Sequence, residues 1–152
     1  RLVQFPDRNQ SGDFIENVAF PAMQQLSAGL NRLGWHAELQ HEPGQRCRLH
    51  IVQGEEVNFF YEIKLVAAAR PAFSLAALSQ PGEGADQYWR AEVFLRRGGQ
   101  AYDVFGYDSH ELIGDMLHQF GNYLHFRHIS PGNLPWEMTE QSETPLTSGS
   151  QA

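Results

Sequence analysis

The sequence predicts an α+β domain in which two helices pack on one face of a five-stranded, mainly antiparallel sheet, in the order α-β-β-β-β-β-α. Two observations support this. Apolar and polar residues alternate over residues 36–66 and again over 88–106, whereas apolar residues recur every three to four positions near each end. The 152 residues suit a single domain, and 41% hydrophobic content lies outside the disordered range. We expect a linker or arm at 1–10, one domain at 11–136 and a polar tail at 137–152.

The first helix is predicted to run from Ser11 or Asp13, either of which can cap it, to about residue 33. Its apolar face follows helical spacing and comprises Phe14, Val18, Ala22, Leu26, Leu30 and Leu33. Pro21 lies inside this pattern and lacks a backbone donor, so the helix should kink or divide near residues 19–20. Gly34 is the expected C-terminal stop.

Three strands are predicted next, at residues 36–41, 46–53 and 57–66. Pro43 and Gly44 favour a tight turn between the first two, and Gly54 favours a turn before the third. Residues 67–87 are small and rich in proline and glycine, which predicts a long loop with a short extended piece at 73–78. A loop of this length is a candidate for mobility or partner contact.

The last two strands, 88–97 and 100–106, flank Gly98 and Gly99, a pair that favours a type I′ hairpin. Pairing residue 97 with residue 100 would place Leu95 opposite Tyr102 on the core side and Glu92 opposite Phe105 on the other side. We expect the outer side of this hairpin to be an interaction face, with the candidate residues Arg90, Phe94, Arg96, Arg97 and Phe105.

These arginines, together with Arg46 and Arg48, could form a basic strip that meets an acidic partner or lipid headgroups. The simpler interpretation is a solvated face that protects the strand edges. Over the whole chain, 11 Lys and Arg against 18 Asp and Glu give a net charge of -7, which argues against nucleic acid or an anionic bilayer as the main partner.

The second helix is predicted to start after Asp108, with Glu111 completing a capping box. Its apolar stripe comprises Leu112, Ile113, Met116, Leu117, Phe120, Tyr123 and Leu124, and residues 129–136 end it. No apolar run approaches the roughly 18 residues of a membrane span, and no signal peptide is visible. Because the chain begins with Arg1 rather than Met, we expect a fragment of a longer protein.

The residues indicate no catalytic, cofactor or metal site. His125 and His128 have a spacing that can serve a metal, but histidines near a helix C-terminus are also favoured by the helix dipole. The single cysteine, Cys47, alternates with Leu49 and Ile51, which predicts a buried structural thiol rather than a nucleophile. A stand-alone enzyme using Cys47 or the histidines is the alternative.

Aromatic residues could form a cage for a quaternary ammonium group, although core packing is their commoner role. They include Trp35, Tyr61, Tyr88, Trp89, Tyr102, Tyr107 and Trp136.

Four stretches carry a family resemblance: FIENVAFPAMQQLSAGLNRLG, GEEVNFFYEIKL, YWRAEVFLRRGGQAYDVFGY and HQFGNYLHFRH. With them the chain resembles the cytoplasmic C-terminal domain of bacterial high-affinity choline transporters, in the betaine/choline/carnitine transporter family. The resemblance covers about residues 11–130 and is strongest over 89–128.

The resemblance implies a regulatory domain, not an enzyme, that follows the last membrane helix on the cytoplasmic side of the bacterial inner membrane. It would modulate uptake of choline, a glycine betaine precursor, in response to osmotic conditions. Its partners would be the transmembrane part of the same transporter and sister subunits. The alternative function is a ligand-sensing domain that binds choline or a related osmolyte in an aromatic pocket.

Overall fold

The computed structural model describes residues 5–70, 87–96 and 101–129. The N-terminal helical segment consists of α1 (Arg8–Phe14), a π-helical turn (Ile15–Ala19) and α2 (Phe20–Arg32). The strands β1 (His36–Glu42), β2 (Arg46–Gln53), β3 (Val57–Ala69), β4 (Gln87–Leu95) and β5 (Tyr102–Asp103) follow, and α3 (Ser109–Phe126) comes last. Each strand pairs antiparallel with the next, giving the order β1-β2-β3-β4-β5. The predicted α+β class and five-stranded antiparallel sheet are confirmed.

One face of the sheet packs against the helices and forms the core. The alternation in β2 and β3 turns the odd-numbered side chains inward, as predicted. Helices α2 and α3 both contribute to the same core, which confirms their placement on one face. The buried side chains of the sheet and helices include Cys47, Leu49, Ile51, Phe59, Tyr61, Ile63 and Val93, with Met23, Leu26, Leu30, Leu112, Met116, Phe120 and Leu124.

The predicted start of the first helix is wrong. Asp7 is the N-cap, and Asp7 and Gln10 form a reciprocal capping box, so residues 8–10, expected in the linker, are the first turn of α1. Ser11 is buried instead, and its hydroxyl donates to the carbonyl of Trp89 at 2.8 Å. The carbonyl of Pro6 also accepts a bond from Trp89 N–H at 2.9 Å, which ties this end of the chain to β4.

Pro21 divides the helical segment where the sequence predicts. The π-helical turn ends at Ala19, and the N–H of Phe20 bonds to the carbonyl of Ile15, five residues back. Pro21 then occupies the first turn of α2, where its missing donor is tolerated. The turn also presents Glu16, whose carboxylate accepts from Gly44 N–H at 2.8 Å and lies 2.7 Å from His41 Nε2. The bond from Gly44, and then the one to His41, lower the pKa of Glu16.

Both long helices end in Schellman motifs. Gly34 has the expected positive φ of 98° after α2, and the N–H of Trp35 bonds to the carbonyl of Leu30. After α3 the same position is occupied by His128, with φ 56°, and Ile129 N–H bonds to Leu124. A histidine in this left-handed conformation is strained where glycine would not be.

The outer edge of β1 is partly capped by a side chain. The amide of Asn31 accepts from Ala37 N–H at 2.8 Å and donates to its carbonyl at 3.1 Å, as a neighbouring strand would. Capping of this kind hinders edge-to-edge pairing with another chain.

The predicted hairpin register is wrong by two residues. Val93 pairs with Tyr102 and Glu92 with Asp103, and β5 comprises two residues rather than 100–106. The carboxylate of Asp103 accepts from the N–H groups of Ala91 and Phe105, which redirects the chain directly after β5. Gly98 and Gly99 lie outside the described residues.

The predicted loop at 67–87 is also too long, because β3 continues to Ala69 and β4 begins at Gln87. The extended piece expected at 73–78 and the tail at 137–152 lie outside the described residues.

Candidate interaction surface

The structure separates the residues that were expected to share one face. Arg90 and Phe94 lie on the outer face of β4, away from the helices, and both are partly buried. Arg96 follows β4 and is exposed. Phe105 lies on the other side, because β5 ends at Asp103 and the chain turns there, so that the centre of its ring lies 5.5 Å from that of Phe14 at the core. Arg97 lies outside the described residues.

The outer face of the sheet is balanced in charge rather than basic. Glu62 is only 7% exposed and accepts from Arg48 Nε at 2.9 Å and from Arg46 Nη1 at 3.1 Å. Arg46 also donates to Glu42 at 2.6 Å, and the Arg48 guanidinium lies 4.2 Å from the centre of the Phe60 ring. Their charges are therefore largely neutralised within the fold.

A glutamate also neutralises the arginine on the outer face of β4, where Arg90 Nε lies 3.1 Å from a carboxylate oxygen of Glu92. The expected basic strip of Arg46, Arg48 and Arg90 is thus interrupted by glutamates at each step. Opposite charges paired along β4 and across the neighbouring strands leave little free positive charge for an acidic partner.

A groove between the sheet and α3 is a better candidate surface. This α3 groove encloses about 480 Å³. Its lining comprises Phe59, Leu95, Arg96, Gln119, Asn122, Tyr123, Phe126 and Arg127. The surface therefore combines aromatic and aliphatic walls with two amides and two guanidinium groups, and none of its described lining residues carries a carboxylate. Such a mixture is typical of surfaces that bind proteins or small ligands.

Hydrogen bonds fix α3 against the sheet beside this groove. Asp115 on α3 accepts from Tyr61 of β3 at 2.6 Å and from Tyr102 of β5 at 2.5 Å. Gln119 donates to the Tyr102 hydroxyl at 3.2 Å. At the other end of the helix, Tyr123 accepts from the backbone N–H of Asn58 at 2.9 Å. These contacts hold the groove walls in one arrangement.

The tyrosines of this cluster stay protonated at neutral pH. Burial, followed by the nearby charge of Asp115, raises the pKa of Tyr61 far above its ordinary value. Burial and the hydrogen bond to Asp115 raise the pKa of Tyr102 as well. Both hydroxyls therefore act as donors to the carboxylate, and the cluster is a structural link between α3 and the sheet.

The groove rim is exposed and positively charged. Phe126 is 81% exposed at the end of α3. The guanidinium of Arg127 lies 5.6 Å from the centre of the Tyr123 ring. Within residues 5–70, 87–96 and 101–129, neither Arg96 nor Arg127 forms an ion pair. The rim thus differs from the outer face, where the arginines are paired.

Sequence reasoning missed this groove. Phe59 and Leu95 lie on adjacent strands but far apart in the sequence, and Tyr123 fits the apolar stripe of α3, so nothing local predicts that they line an open surface. Phe126 could have pointed to the groove from the sequence. It ends α3 but lies outside the apolar stripe of that helix, so it is an apolar side chain that the core does not need.

Cys47 is fully buried, as predicted for a structural thiol. Burial, and then the charges of Glu16 and Glu62, raise its pKa to about 12, so almost no nucleophilic thiolate exists at neutral pH.

In the part of the chain that the structure describes, no three His, Cys, Asp or Glu side chains are grouped to hold a metal ion. Among the described helices, none is long and apolar enough to cross a membrane.

Comparison with known proteins identifies a class of membrane transporters. The chain is 32% identical over 142 residues to a high-affinity choline transport protein of Escherichia coli, covering 88% of the chain and 20% of that protein. It is 26% identical over 144 residues to an osmo-dependent choline transporter, BetT2, of Acinetobacter baylyi, covering 89% of the chain and 20% of the transporter. A glycine betaine transporter of the same organism is 34% identical over 85 residues, covering 56% of the chain and 13% of that protein.

No family model matches the chain. The relatives nevertheless confirm the resemblance seen in the sequence, because those that match the chain are choline and glycine betaine transporters of the BetT type. It spans about a fifth of the length of the curated relatives that match most of it, consistent with a C-terminal fragment of such a transporter.

Proposed function

We propose that the chain is a regulatory domain of a choline uptake transporter on the cytoplasmic side of a bacterial inner membrane. In this role it modulates transport according to osmotic conditions. The observation that carries the proposal is the match of nearly 90% of the chain to choline transporters, one of which is described as osmo-dependent. The described residues form a packed core with an open groove on its surface, which suits a part that binds another part of the carrier.

Regulation of this kind requires contacts that differ between the resting and active states of the transporter. A coupling on the order of 1–3 kcal/mol changes the populations of two states by about five- to 150-fold. We infer that the domain supplies this coupling by binding the transmembrane part of the carrier or a sister subunit in one state more tightly than in the other.

The α3 groove is the proposed contact surface. Its apolar walls offer area to bury, and Arg96 and Arg127 offer charges that are not already paired within the described fold. Phe94 and Arg90 on the outer face remain a second candidate contact, although Arg90 is engaged by Glu92. Exposed charges are screened over about 8 Å at physiological salt and over shorter distances when salt rises, so a contact through the two groove arginines would respond to ionic strength.

Sensing of choline in an aromatic pocket is the alternative. The α3 groove has the aromatic side chains Phe59, Tyr123 and Phe126, but its charged groups are two arginines, which repel a quaternary ammonium cation. The groove therefore favours an anionic or mixed partner over choline. Isothermal titration calorimetry of the chain with choline and with glycine betaine separates the two functions, because saturable binding would support the sensor.

A charge-reversal experiment in the full carrier tests the proposed surface. Arg96→Glu and Arg127→Glu should each shift the osmolality at which choline uptake rises, because they reverse a charge at the contact. Lys64→Glu makes the same charge change on an exposed residue of the opposite sheet face and should leave the response unchanged. Equal behaviour of the groove variants and Lys64→Glu would refute the assignment of the surface.

A further inference from the structure

The α3 groove has the shape and charge to hold a short segment of chain with one large apolar side chain and flanking carboxylates. We propose that residues 134–140 of the same chain bind in this groove, with the Trp136 indole against its apolar wall and the carboxylates of Glu137 and Glu140 near its arginines. The inference concerns the chain by itself and does not depend on the transporter function.

The first argument is the exposed apolar surface. Phe126 is 81% exposed, beside Phe59, Leu95 and Tyr123 in the groove lining. Covering a large aromatic side chain is favourable by roughly 25 cal/mol for each Å² of apolar area removed from water. Trp136 follows α3 by ten residues and supplies a single large aromatic surface to cover it.

The second argument is charge complementarity. Three arginines of the sheet each form an ion pair with a glutamate: Arg46, Arg48 and Arg90. At the groove, by contrast, Arg96 and Arg127 have no acidic partner in the described ranges. Residues 130–152 contain three glutamates and no lysine or arginine. The described groove residues and the sequence of the segment thus carry opposite charge.

The third argument is reach. The Schellman bond from Ile129 N–H to the Leu124 carbonyl fixes the direction of the chain at the end of α3. Phe126 and Arg127, which line the groove, lie only a few residues before that point. Residues 130–135 separate Ile129 from Trp136, and an extended stretch of this length spans up to about 20 Å. The six residues are therefore long enough to connect the end of α3 with the groove residues Phe126 and Arg127.

An intramolecular contact of this kind makes the segment a competitor for any other partner of the groove. A second protein segment could bind there only after displacing residues 134–140. The effective concentration of a segment tethered by a short linker is in the millimolar range, so docking with a Kd below that range would keep the groove mostly occupied.

Limited proteolysis of the full 152-residue chain tests the proposal. A glutamate-specific protease cleaves after Glu137 and Glu140 only when these residues are released, so the rate follows the undocked fraction when docking is fast. A free peptide of residues 130–152 gives the rate of the unprotected segment. We expect cleavage in the chain to be slower than in the peptide by on the order of tenfold.

Single substitutions identify the contact. Arg127→Glu and Phe126→Ala should each bring the cleavage rate to within about threefold of the peptide, because they remove the charge or the apolar wall. Both side chains are exposed, and circular dichroism checks that the fold is retained. Lys64→Glu is the matched control and should preserve full protection.

Two results would overturn the proposal. The first is cleavage of the unmodified chain as fast as the peptide, which would show that the segment is not docked. The second is protection that survives both Arg127→Glu and Phe126→Ala, which would place the segment elsewhere on the molecule.

Discussion

Replacing Asp115 by alanine tests whether the tyrosine cluster holds α3 to the sheet. The change removes the acceptor of two hydroxyl groups, and Tyr61 is fully buried, so its hydroxyl would lose its bond to a carboxylate. Bonds to charged groups contribute about 1.5–3 kcal/mol each, and an unsatisfied buried hydroxyl costs about 1–3 kcal/mol. Because Tyr102 keeps its bond from Gln119, we expect a loss of about 2–4 kcal/mol.

Urea unfolding followed by circular dichroism measures this loss as a change in midpoint at constant m-value. Asp13→Ala is the matched control, since it removes an exposed helical carboxylate and should stay within about 0.5 kcal/mol of the unmodified chain. A double-mutant cycle with Tyr61→Phe should show a coupling of about 1 kcal/mol or more. A loss below about 0.5 kcal/mol for Asp115→Ala would refute the reasoning.

Three further predictions concern the edge, the helix end and alkaline pH. Asn31→Ala should cost about 1–2 kcal/mol and promote self-association in sedimentation velocity, because it uncaps the edge of β1. His128→Gly should raise the free energy of unfolding by about 1 kcal/mol by relieving the positive φ, whereas Gly34→Ala should lower it by a similar amount. Stability should fall as pH rises above about 9, because the folded state holds the protons of Cys47 and Tyr61 more tightly than the unfolded state does, and Cys47→Ala should move the onset towards pH 10.

The elements set by local pattern could be predicted from the sequence. Strands β2 and β3 alternate cleanly, and the Asp108–Glu111 capping box marks the start of α3 to the residue. Pro21 divides the first helical segment because its missing donor acts within one turn. The start of α1 was also encoded locally, in Asp7 and Gln10, but Ser11 and Asp13 offered competing caps.

The features that depend on contacts across the fold could not be predicted. Gly98 and Gly99 suggested a two-residue turn, whereas the register of β4 and β5 follows from the bonds of Asp103 to Ala91 and Phe105. Phe105 lies beyond the end of β5, where the chain has turned, and it therefore packs near Phe14 rather than on the outer face. The arginines of β2 looked free in the sequence, and only the sheet register places Glu62 between them.

The α3 groove depends on the same long-range geometry. Leu95 and Phe59 meet Tyr123 only because β3, β4 and α3 pack together, and the hydrogen bonds of Asp115 and Tyr123 fix that packing. No spacing rule along the chain relates these residues. The family resemblance, by contrast, could be recognised from the sequence. Whole stretches of the chain resemble choline transporters, so no catalytic motif was needed to see it.

The most direct test of the proposed regulatory role is choline uptake by the full carrier with and without residues 11–130. Initial uptake rates are measured at low osmolality and after an osmotic upshift, with the amount of carrier in the membrane determined in parallel. We predict that the truncated carrier still transports choline but that the ratio of its two rates falls to about one. An osmotic response as large as that of the intact carrier would contradict the regulatory function.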